Sequence, residues 1–95
     1  MTDTATPILL ATAERAIRNM AVPRYRTEAR ADLLTVRNQL RTRTAELVER
    51  LEKGDAWCDA NADNPSVVKG EDRYIELLRD YEKACDGLRL CEANL

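Results

Sequence analysis

The sequence predicts an all-α fold, an antiparallel helical hairpin of two long helices with coiled-coil-like packing and a shorter N-terminal helix. Three observations predict it. Ala29, Leu33, Val36, Leu40, Thr44, Leu47 and Leu51 recur at steps of three and four, which puts them on one side of a helix. Tyr74, Leu78, Tyr81, Cys85 and Leu88 repeat that spacing. Strand signals are nearly absent, because Val67-Val68 is too short and no apolar run alternates.

The first helix is expected over residues 7–21. Thr6 reads as its N-cap and Pro7 as its first helical position, where a missing N–H costs nothing. Its buried side would be Leu9, Ala13, Ala16, Ile17 and Met20. Val22-Pro23 interrupts the pattern, since the residue before a proline is pushed out of the helical region. A turn there yields three helices and a kink yields one bent long helix, and the spacing allows both.

The second helix is expected over 24–53, with Gly54 as a left-handed stop. Residues 54–70 form an acidic loop without periodicity, in which Asn64-Pro65 reads as the cap and first position of a new helical turn. Gly70 separates that turn from the last helix, over 71–92. The chain is thus one small helical domain over 1–95. If the loop centres near residue 62, Tyr81 faces Arg43 and Thr44. Leu77, Ala84 and Cys91, seven apart, widen the apolar face of the last helix beyond what a two-helix seam requires. The first helix or a second subunit must cover the excess, and a dimer closing on this stripe is the expected oligomer.

Composition sharpens that expectation. With 12 Leu, 3 Ile, 5 Val and no Phe, large aliphatics are few, so the chain should fold around a thin core. Association is the usual remedy for such a deficit. Charge is uneven: residues 1–50 are net +3 and residues 51–95 net −5. Either the basic long helix and the acidic last helix complement each other within one fold, or the basic surface serves an acidic or nucleic-acid partner. No apolar run approaches the roughly 18–20 residues that span a bilayer, and no basic-then-apolar leader opens the chain. No membrane role and a cytoplasmic location are expected. Cys85 and Cys91 share a helix with Cα atoms roughly 9 Å apart, beyond disulfide reach, and Cys58 belongs near the far tip, so all three thiols should be reduced.

Chemistry is read mostly by elimination. There is no histidine, Ser66 is the only serine, and three glycines cannot build a phosphate loop. The cysteines lack C-x-x-C spacing. Glu46-x-x-Glu49 is similar to half of the paired-carboxylate motif of the helical nucleotide pyrophosphohydrolases, whose second half, E-x-x-D, is missing: Glu76 to Asp80 and Glu82 to Asp86 are each four apart. These carboxylates read as a solvated face. Asp59-x-Asn61-x-Asp63-Asn64 resembles the start of a calcium loop, yet Gly70 stands where the bidentate carboxylate belongs, and Asp and Asn serve ordinary turns. Arg26, Arg43 and Lys53 on one long helix resemble the arginine-bearing helices of helical chorismate mutases, but the acid–arginine order after the loop, Glu71-Asp72-Arg73, is reversed. The expectation is a non-enzyme with no catalytic residue, cofactor or metal.

Interaction remains. Arg26, Arg30, Arg37 and Arg41 fall within roughly 60° of one helix side, beside the seam. Their first role is pairing with acids of the last helix or of a second subunit. Trp57 either closes the end of the core or anchors a partner. With Leu77 and Cys91, these are the candidate interaction residues of a protein–protein interaction module acting as an adaptor, inhibitor or assembly subunit. The alternative is a nucleic-acid-associated subunit of a larger complex using the Arg stripe, against which stand the acidic pI near 5.2 and the lack of interleaved aromatics.

Overall fold

A computed structural model of the chain describes residues 5–65 and 67–95, with backbone alone at 68 and 69. Three α-helices, α1 (Ala5–Met20), α2 (Arg26–Ala60) and α3 (Val67–Ala93), follow one another, with a 3-10 turn at Pro23–Tyr25. Among the described residues there is no strand. The 35 residues of α2 extend about 52 Å, which sets the long axis of a molecule 60 × 19 × 16 Å. The predicted hairpin is formed by α2 and α3, and α1 packs on both.

Val22-Pro23 makes a turn. Ala21 and Val22 donate their N–H groups to the Arg18 and Asn19 carbonyls at 3.2 and 3.1 Å. Val22 is extended (φ −95°, ψ 114°), as the residue before a proline must be. Across the turn, Arg26 Nε donates to the Met20 carbonyl at 3.2 Å, satisfying one of the orphan acceptors at the end of α1. The chain therefore doubles back, and the small buried Ala13 and Ala16 bring α1 close to the hairpin. Leu10 takes the space left at Gly87 of α3, where a Cβ would also lie 3.3 Å from Leu40.

The α2 seam is buried at Ala29, Leu33, Val36, Leu40, Arg43 and Leu47. Strict alternation of four and three leads to Arg43, where the expected residue is Thr44. Thr44 is only half-buried, and its hydroxyl donates to the Arg41 carbonyl at 2.8 Å. On α3, Ala84 and Cys91 are fully buried, and Leu77 packs at their edge. This corrects the expected dimer face: α1 already covers the Leu77, Ala84 and Cys91 stripe.

Both long helices run further than predicted. Gly54 does not stop α2, for no described glycine has a positive φ; it makes room for the Tyr74 ring, 3.4 Å from where a Cβ would stand. The stop is Asn61. Its backbone N–H reaches the Trp57 and Cys58 carbonyls at 3.0 and 3.3 Å, and its side-chain amide donates to the Trp57 carbonyl at 2.8 Å. Two further bonds, Asn64 N–H to the Asn61 carbonyl at 2.8 Å and Val67 N–H to the Asn64 carbonyl at 2.9 Å, carry the chain into α3. Gly70, expected as a break, lies inside α3 beneath the Trp57 ring. Thr6, expected as a cap, lies within α1 and is fully buried.

Candidate functional site

Arg43 is the one long charged side chain among the buried described residues, 7 % exposed. Its Nη2 donates to Asp80 Oδ2 at 2.7 Å, its Nε to Thr6 Oγ1 at 3.4 Å, and its Nη1 lies 3.8 Å from Glu46 Oε2. Thr6, Arg43 and Asp80 come from α1, α2 and α3, so all three helices meet at one polar cluster. The burial is tolerable because the charge is paired and hydrogen-bonded. Asp80, read from sequence as solvated, is its principal partner. Seam positions seldom hold arginine, which is why spacing alone selects Thr44.

Tyr81 does not serve as the partner expected for Arg43 and Thr44. Its hydroxyl pairs with the Cys85 thiol one turn along, and that hydrogen bond, more than the Cys85 charge or burial, raises its pKa above the ordinary tyrosine value, against a lowering by Arg89.

Beside the cluster, an open depression of about 440 Å³ is lined by Leu9, Gln39, Thr42, Arg43 and Glu46 among others. Among the described residues its only cation is the guanidinium already engaged by Asp80 and Thr6. Arg26, Arg43 and Lys53 do not converge on it: Arg26 binds the Met20 carbonyl, and Lys53 pairs with Glu49 at 3.0 Å. Spaced 17 and 10 residues apart, they lie about 25 and 15 Å apart along α2. The depression therefore has no convergent set of charges for a dianion. Among the described residues, no group of three or more His, Cys, Asp or Glu side chains is placed to hold a metal ion.

The Arg stripe divides. Arg26 fastens the first turn, and Arg41 reaches Glu92 of α3 at 3.5 Å, with both side chains about half exposed. This is the pairing with last-helix acids anticipated from the heptad spacing. Arg37 is half-buried; its Nη2 donates to Asn38 Oδ1 at 3.4 Å, and its Nε is buried without a hydrogen-bond partner among the described residues. Arg30 is exposed. Trp57 packs on Gly70 and still leaves 42 % of its surface exposed, so it closes the far end of the hairpin incompletely. Leu77 and Cys91 belong to the core.

The three cysteines are free. Burial pushes the Cys91 thiol up, against the nearby Arg37 and with Glu92. Cys58 is also raised, by burial first and then by Glu71, Asp55 and Asp59.

Among the described residues, one flank of the hairpin has no helix upon it. The contacts Thr6 to Arg43 and Leu10 to Gly87 put α1 on one side of the α2–α3 pair. Helical spacing places Val48 and Leu51 of α2, with Tyr74, Leu78 and Tyr81 of α3, along the other. Val48 and Leu78 are each 37 % exposed, and neighbouring Ile75 is 45 % exposed. This apolar strip has Arg30 and Arg37 toward the base, where α2 begins, and Arg41 nearer the middle of the helix. At the tip, Asp55, Asp59 and Glu71 surround Cys58. Spacing puts Leu51, Leu78 and Cys85 in the hairpin seam, whereas in the fold α3 turns Leu77, Ala84 and Cys91 to the core and leaves Leu78 at the open flank.

No described helix is long and apolar enough to cross a membrane. Comparison with protein-family models, with curated proteins and with solved structures returned no match.

Proposed function

We propose that this chain is a non-enzymatic helical module that works by protein–protein contact, as an adaptor, inhibitor or assembly subunit, in a reducing cytoplasmic setting and with self-association as part of its action. The observation that carries the reading is the uncovered apolar strip around Val48, Ile75 and Leu78, bounded by charge at both ends. Large exposed apolar surface rimmed by polar residues is characteristic of contact sites. The nucleic-acid alternative has less support, since the chain is acidic overall and no aromatic residues interleave the Arg stripe.

The test is affinity capture with the intact chain and with Leu78→Glu, each with and without nuclease, alongside circular dichroism. The expected result is a partner retained after nuclease and lost with Leu78→Glu, whose helicity is unchanged because Leu78 is exposed. Capture abolished by nuclease and indifferent to Leu78 would transfer the function to nucleic acid.

A further inference from the structure

We propose that the apolar strip is closed by a second copy of this chain, docked antiparallel so that the basic base of each copy lies on the acidic tip of the other. The proposal rests on the protein-contact reading and names the first partner.

The layout of charge carries it. Among the described residues Arg30 and Arg37 lie toward one end of the flank, Arg41 nearer its middle with Glu92 against it, and Asp55, Asp59 and Glu71 occupy the other end. A two-fold axis perpendicular to the flank brings unlike ends together twice, once at each extremity. Such an interface is isologous and closes on itself. A parallel pairing would set arginines on arginines and carboxylates on carboxylates, which costs several kcal/mol at a desolvated contact. A foreign helix of one charge sign would suit one end and be repelled at the other.

The dimensions agree. Arg37 and Asp55 are 18 residues apart on α2, about 27 Å. Their midpoint falls near residue 46, close to Val48, so the axis passes through the apolar centre of the strip. Two helices side by side over that length present roughly 30 × 20 Å, or on the order of 1,200 Å² buried by two copies, at the lower end for specific complexes. The partner's hairpin would cover the flank opposite α1, so that α2 and α3 gain cover on both sides. That is the remedy a chain poor in large aliphatics requires.

The experiment is sedimentation of the intact chain and of charge-reversed chains. Arg30, Arg41, Asp55 and Glu71 are exposed, so their replacement leaves the fold measurable by circular dichroism as a control. The intact chain should sediment as a dimer. A base-reversed chain (Arg30→Glu with Arg41→Glu) and a tip-reversed chain (Asp55→Lys with Glu71→Lys) should each dissociate, with Kd weakened about tenfold or more. Mixing the two should restore the dimer, because each acidic base then meets a basic tip. Leu78→Glu at the centre should abolish it. Oxidation of the native thiols adds an orientation test: antiparallel copies hold their Cys58 residues roughly 36 Å apart along the helices, so no Cys58–Cys58 link should form.

A monomer at all concentrations up to about 1 mM overturns the proposal. So does a dimer indifferent to both charge reversals, a mixture that stays monomeric, or a Cys58-linked dimer. If the chain is monomeric yet still captures a nuclease-resistant partner through Leu78, the function proposed above survives and this occupant does not. A restored mixed dimer with no captured partner has the opposite consequence: the second copy stands as the occupant, and the wider adaptor role falls.

Discussion

Arg43 Nη2 stands 2.7 Å from Asp80 Oδ2, both largely out of water, and this ion pair ties α3 to α2 inside the seam. Apolar contacts in a heptad seam are interchangeable by one repeat; a buried charge with one acceptor opposite is not. Thr6 adds α1 to the same point.

Removing Asp80 takes from the buried guanidinium its nearest carboxylate. Asp80→Ala should therefore destabilise the fold by about 3 kcal/mol, whereas Arg43→Met combined with Asp80→Leu should regain most of that loss or exceed it. Urea denaturation of the single and double variants checks the coupling. Equal losses in both would remove the role of the pair.

Thr6→Val keeps the shape of the side chain and removes the acceptor for Arg43 Nε. A loss of about 1 kcal/mol is expected, the worth of one net hydrogen bond. The same denaturation measurement reads it, and the loss should vanish in the Arg43→Met background.

Gly70→Ala sets two effects against each other. Alanine gains about 1 kcal/mol in helix propensity over glycine. Its methyl would enter the Trp57 ring, and such overpacking costs about 1–3 kcal/mol. The net should be destabilising, with the ring displaced outward. A red shift of Trp57 fluorescence, unchanged helicity and a lower urea midpoint are the expected results.

Alkaline pH should weaken the fold through Cys91. Its folded pKa is raised above the ordinary 9.0, chiefly by burial, so the native state keeps a proton that the unfolded state releases. The stabilisation is complete below pH 9 and is lost as pH rises through the folded value. Stability measured between pH 7 and pH 10 should fall, and Cys91→Ala should flatten that fall relative to its own value at pH 7.

The isolated chain should have no measurable affinity for DNA or RNA at physiological salt. Four phosphate contacts would produce a log–log salt slope of about −3 to −4, which filter binding over a salt series would reveal. Arg41→Ala, which removes an exposed bridge to Glu92, should cost roughly 0–1 kcal/mol in stability.

The helical class, the hairpin and most of its seam were legible in the sequence because they depend on local periodicity: Leu33, Val36, Leu40 and Leu47 declare a buried side by spacing alone. The separation of Cys85 from Cys91 followed from helix geometry, and heptad position pointed the stripe arginines at acids of the last helix or of a second subunit without naming Glu92. Other features depended on residues far apart in the chain. Gly54 and Gly70 have the chemistry of helix stops, and only the Tyr74 and Trp57 rings lying over them turned both into points of close contact inside helices. Val22-Pro23 allowed a kink or a turn until α1 found cover on Ala84 and Cys91. Arg43 looked like a surface residue until Asp80, 37 positions away, neutralised it. Which apolar face is left open was decided the same way. The α3 stripe at Leu77, Ala84 and Cys91 and the flank at Val48 and Leu78 are alike in spacing, and the direction in which α1 folds back buried the first and left the second to solvent.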